Sequence, residues 1–279
     1  MKPLGAGGSI ARDVIRLPAV AGHFYPADPE ELRRLVRSFL LPSPREEAIA
    51  ILVPHAGYIY SGSCAGKAYS SVRLPSRIVV LCPNHTGLGE PLAMMASGSW
   101  ETPLGSAPID EDLARALLRE DAQLAEDEAA HRREHSLEVQ LPFLQELRPG
   151  FRFVPICLGT QQHKALLCLG QALERVIRGA GEPVLIVISS DMSHYIPAER
   201  ARELDGRAIK AMEQVDPEKL EEVVRRERIS MCGIAPAVAG LHAARLLGAR
   251  QGRLIAYMNS GDRTGDYGEV VGYAGLVFH

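Results

Sequence analysis

The sequence predicts an α/β fold, a three-layer α/β/α arrangement around a central mixed, mainly parallel sheet. Three observations carry that expectation. Short aliphatic and β-branched runs bounded by Pro, Gly and Asn recur along the 279 residues. Most are apolar almost throughout instead of alternating, as strands covered by helices on both faces must be. Stretches with helical spacing separate them, so β and α elements alternate.

The strand runs are 48–53, 77–82, 151–157, 184–189, 254–258 and 270–278. Helical spacing covers 29–41, 62–72, 110–119, 134–147, 164–178, 198–214, 217–228 and 234–247. Asp28 followed by Pro29 is a strong helix start, a capping carboxylate before a proline at the first helical position. The segment 94–105, with the lone Trp100, reads as antiparallel additions and makes the expected sheet mixed.

The whole chain, 1–279, reads as one domain, with 1–15 as a candidate flexible end. Apolar residues make up 46% and charged residues 23%, enough for a large core without staples. A formal net charge of −3 gives no basic face for nucleic acid or an anionic membrane. The five cysteines are odd in number and contain no CxxC pair, which argues against a disulfide framework and for reduced thiols in a cytoplasm. No apolar stretch reaches the length of a membrane span, and the Gly-rich start does not read as a signal peptide.

The chemistry gathers at strand ends. In AIAILVPHAGYIYSG, His55 follows a predicted strand; His85 does the same in RIVVLCPNHTG, and His194 in VLIVISSDMSH. Ligands of open α/β sheets bind in the crevice outside the carboxyl ends of the strands, so such residues converge even when far apart in sequence. Any one of these histidines alone would be ordinary as a loop or core residue. Together they imply one site, and neutral imidazole is the commonest metal ligand.

Cys232, in ISMCGIAPAVAG, precedes the helix expected from 234. A thiol at a helix N-terminus is expected to ionise more easily and to coordinate metal. Cys64, Cys82, Cys157 and Cys168 read as small packed hydrophobes. Asp191 and His194, three apart in a polar turn, fit a general base with its orienting carboxylate, or a carboxylate behind a metal ligand. His135 and Glu138, in EHSLEVQLPFLQEL, share a helix face and either line a substrate pocket or form an exposed polar turn.

With these motifs in view, the chain resembles the Memo family, whose fold is similar to that of the class III extradiol, LigB-like non-haem iron dioxygenases. The resemblance runs from AGHFYP through VPHAGYIYSG, PNHTG, WETPLG, EHSLEVQLPF and ISSDMSHY to CGIAP, YMNSGD and VGYAG, nearly the whole chain in one order. It implies that His55, His85 and Cys232 match metal-coordinating positions, that His194 matches an acid/base, and that Asp191 assists it. It also implies iron or copper binding, redox chemistry and, in animals, signalling partners. Cysteine stands here where the dioxygenases use a carboxylate, so softer ligation of Fe(II), Cu(I) or zinc is expected.

Three functions follow. The first is a metal-dependent oxidoreductase acting on an aromatic or other small substrate; the second is a metal-binding or interaction protein without turnover. The third is metal-assisted hydrolysis through Asp191 and His194. A Gly-rich phosphate loop, a GxSxG elbow and an HExxH helix are absent from the sequence.

Overall fold

The described residues of the computed structural model are 14–279. They run β1 (Ile15–Arg16), α1 (Pro29–Phe39), β2 (Ala50–Val53), α2 (Tyr58–Ser70), β3 (Arg77–Pro83), β4 (Leu92–Met94), β5 (Ser99–Thr102), β6 (Gly105–Pro108), α3 (Glu111–Glu120), β7 (Ala125–Glu126), α4 (His135–Glu138) and α5 (Leu141–Leu147). There follow β8 (Arg152–Leu158), α6 (His163–Gly179), β9 (Val184–Ser189), β10 (His194–Ile196), α7 (Ala198–Glu213), α8 (Pro217–Glu227), α9 (Ile234–Leu247), β11 (Gly252–Asn259), α10 (Gly261–Thr264) and β12 (Val270–Phe278). The flexible end expected over 1–15 lies outside the described residues apart from Val14 and Ile15, and Ile15 is paired with Ser99.

The expected mixed sheet is present, with nine strands. Its centre is parallel, in the order β2, β9, β3, β8. Antiparallel β12 joins β2 at one side and antiparallel β4 joins β8 at the other. All of β2, β3 and β9 is buried, as their unbroken apolar runs require. The segment around Trp100 forms a hairpin of β5 and β6, which with β1 makes a separate three-stranded sheet.

Register shows how the layers are arranged. Leu276, Leu52, Ile188 and Leu81 are aligned across β12, β2, β9 and β3 and therefore point to one face. A Cβ on Gly240 of α9 would lie 2.6 Å from the Ile188 side chain, so α9 is pressed against that face. Gly275, next to Leu276, points the opposite way, and a Cβ there would meet Ala68 of α2 at 3.0 Å. Helices α6 and α8 pack on α9, and α1 packs on α2, so both faces are covered.

Two helices differ from expectation. The sequence places the start of α2 at residue 62, but the helix begins at Tyr58 behind Gly57, which offers no side-chain cap to mark it. The single helix expected over 134–147 is two, α4 and α5, because Pro142 has no N–H to return to the carbonyl four residues back. The Asp28 cap is present, accepting from the Glu31 N–H at 2.8 Å. Among the described residues no helix is long and apolar enough to cross a membrane.

Trp100 joins the small sheet to the large one, meeting Phe153 of β8 edge-on at 5.8 Å, and anchors a buried stack with Arg16 and the loop residue His131. The Arg16 guanidinium lies 4.3 Å above the Trp100 ring, and Trp100 meets His131 edge-on at 5.6 Å. Burial, helped by the Arg16 charge, lowers the His131 pKa from 6.5 to about 4. The fold therefore keeps this ring neutral, while the unfolded chain takes up a proton once the pH drops below about 6.5. Its contribution to stability is complete above that pH and is lost as the pH falls toward 4. On the order of 3 kcal/mol should disappear over this window. His131→Phe should remove that part of the acid sensitivity, as urea unfolding at pH 7 and pH 4.5 would show; an unchanged pH dependence in the variant would contradict the assignment.

Candidate metal centre

Because β2, β9 and β3 are adjacent and parallel, their carboxyl ends share one rim. His55 stands two residues beyond β2, His85 two beyond β3 and Asp191 two beyond β9. The N-terminus of α4 brings His135 to the same place, and Cys232 arrives just ahead of Gly233, the cap residue of α9.

The structure gathers three imidazoles. His55, His85 and His135 each offer a ligand atom within 4.8 Å of the other two. Ring centroids are 5.2 Å apart for His55 and His85, 5.6 Å for His55 and His135, and 4.7 Å for the stacked His85 and His135. The Cys232 sulfur lies 3.1 Å from His55 Nε2 but does not belong to that mutual set. The residue read as a substrate contact, His135, is thus the third imidazole of the cluster.

Hydrogen bonds fix which nitrogen is free. Ser189 Oγ uses its one proton on the Ser136 carbonyl and accepts from Gln140 Nε2. His55 Nδ1, 2.9 Å from that oxygen, must then donate, which leaves Nε2 as a bare lone pair facing the cluster. His85 Nδ1 is likewise 2.9 Å from Glu134 Oε1, and Glu134 Oε2 also accepts the His85 backbone N–H at 2.6 Å. Burial would raise the Glu134 pKa, but the hydrogen bonds from His85 and Ser136 outweigh it and hold the carboxylate at about 2.

Electrostatics favour the neutral ring at His55 and at His135. Burial, then the neighbouring imidazoles, pushes His55 well below its usual value, and burial lowers His135 as well. The donor set therefore fits a metal ion: three converging imidazoles, two with the far nitrogen anchored, and a sulfur beside them. Cys232 differs from expectation in one respect. Burial and the Asp191 carboxylate push its thiol up, the reverse of the shift expected from a helix start. A bound cation would act in the other direction.

His194 belongs to the same neighbourhood, since its charge acts on both His55 and Asp191. Its ring is held by Ser230, not by Asp191: Nδ1 lies 2.9 Å from the Ser230 carbonyl, which can only accept, so Nε2 is free to take a proton. Asp191 instead accepts the His55 backbone N–H at 2.7 Å. Burial raises its pKa to about 6. Glu138, expected beside His135 in a pocket, serves the scaffold. Its buried carboxylate accepts from Arg16, from the Ala19 and Val20 amides and from the Tyr25 hydroxyl. Sequence reasoning missed Glu134, Ser189 and Ser230, which hold the rings; Glu134 stood out only as a helix start.

A three-layer α/β/α protein with imidazoles collected at the carboxyl rim of its parallel strands defines the class. A family model described as Memo-like protein matches residues 16–277, and the chain belongs to that family. It is 47% identical over 267 residues to a MEMO1 family protein of Aquifex aeolicus, covering 95% of this chain and 99% of that one. A MEMO1 family protein of Methanopyrus kandleri is 41% identical over 278 residues, covering 94% and 98%. The crystal structure of an uncharacterized protein from Escherichia coli K12 shares the fold, with a TM-score of 0.52 at 14% identity, covering 82% of this chain and 98% of that one.

If Glu134 aims His85, Glu134→Gln should weaken metal binding by roughly 10- to 100-fold while leaving the fold intact. Competition against a chelator of known affinity would measure it, and an unchanged affinity would show that His85 is positioned without the carboxylate.

Proposed function

We propose that the chain binds one redox-active ion, Fe(II) or Cu(I), and acts as a metal-dependent oxidoreductase on a small aromatic substrate. The observation that carries this reading is the mutual approach of His55, His85 and His135 within 4.8 Å, with Cys232 sulfur against His55. His55 and His85 are the common core of the ligand set, His135 completes the imidazoles, and Cys232 supplies a soft donor beside them. Imidazole with sulfur suits copper, iron or zinc, and only the first two change oxidation state readily. Bound there, such an ion would supply the electron transfer that side chains cannot.

The chain's own residues do the rest. Ser189 and Glu134 present His55 and His85 in the ligating tautomer. His194, with Nδ1 donated to Ser230, holds a free Nε2 that takes or returns the substrate proton. Asp191 holds the backbone of His55 in place. The free cysteines are consistent with a reducing compartment such as the cytoplasm.

One observation favours a second reading, a metal-binding interaction protein without turnover. Ile59, Tyr60, Leu88 and Tyr195 are exposed and follow directly on the His55, His85 and His194 motifs, giving a protein partner apolar side chains to grip.

Protein purified without oxygen should contain one iron or copper per chain, lost in His55→Ala and His85→Ala. Supplied with catechols and oxygen it should turn over, and His194→Ala should reduce turnover about 100-fold or more at unchanged metal content. Bound metal without oxygen consumption would favour the interaction protein. Zinc alone, or no metal at all, would remove the redox reading.

A further inference from the structure

A cavity of about 420 Å³ lies between the start of α6, the end of α8 and the start of α9. That is within the range of small-molecule sites. Its walls mix apolar side chains, Leu166, Val224, Ile229 and Ile234 among them, with polar and charged ones. Two cations border it, Arg225 and Arg228, three residues apart at the end of α8. Both are exposed, and among the described residues neither forms an ion pair. Their neighbour Arg226 is by contrast tied to Glu222 and Glu227.

Arg228 also caps α8 at φ 54°, a left-handed position that glycine occupies with less strain. The one carboxylate lining the cavity, Glu221, is already engaged by His163 Nδ1 at 2.5 Å. Two unpaired guanidiniums beside apolar side chains suit a ligand with one anionic end and one apolar end.

We propose that this cavity binds a small amphipathic carboxylate, its charge on Arg225 and Arg228 and its apolar body against Val224, Ile229 and Ile234. The site shares a wall with the histidine cluster. Ser230, which holds His194, and Cys232, which touches His55, both line the cavity. A bound carboxylate therefore abuts the cluster, while its anchors Arg225 and Arg228 are not among the proposed metal donors.

The test titrates the full-length, methyl-labelled protein with octanoate and benzoate. Octanol serves as the apolar control and inorganic phosphate as the charged one. The carboxylates should shift the methyl signals of Val224, Ile229 and Ile234 and bind at least tenfold more tightly than either control. An Arg225→Gln, Arg228→Gln double variant should lose at least tenfold in affinity with its unfolding midpoint unchanged, and Arg226→Gln should behave as the parent. Phosphate binding as tightly as octanoate, shifts elsewhere in the molecule, or equal affinity in the double variant would overturn the proposal. A metal titration run in parallel separates this outcome from any failure of the metal reading.

Discussion

The parallel pairing of β2, β9 and β3 is the constraint on which the site depends. Residues 55, 85 and 191 are far apart in the chain, and nothing local draws them together. Aligned strand ends place them on one rim, because register fixes where each strand stops and the next loop begins. Burial of the strands on both faces makes that register hard to shift, since a slip by one residue would send every core side chain to the opposite face. The geometry of the imidazoles is therefore inherited from the packing of the whole sheet.

Convergence alone would not make a ligand set. An imidazole in a buried cluster can turn either nitrogen inward, and it can be protonated. Here Ser189 and Glu134 settle the first choice for His55 and His85, and burial settles the second for His55. Both anchors are themselves held by the start of α4: Ser189 donates to the Ser136 carbonyl, and Glu134 accepts from the Ser136 amide and hydroxyl. The short helix that supplies His135 thus also orients the other two rings.

Much of this was legible in the sequence because it follows from local pattern. Continuous apolar runs marked the central strands, and a histidine within a few residues of each expected strand end, His55, His85 and His194, marked the loops of the rim. Cys232 was found because a helix start follows it. What escaped depends on contacts between distant segments. Glu134 reads as an ordinary helix-opening carboxylate until the fold brings His85 to it. Glu138 reads as a pocket-lining neighbour of His135 until Arg16, Tyr25 and two amides are seen to take its oxygens. The direction of the Cys232 shift was misjudged for the same reason, since a helix dipole is visible in sequence and burial beside Asp191 is not.

The central claim is that these imidazoles act together on one ion. Anomalous diffraction from crystals loaded with iron or copper tests it most directly. The account predicts a single peak about 2 Å from the free nitrogens of His55 and His85, a usual metal–imidazole distance. A peak elsewhere on the molecule, or none at full loading, would contradict it.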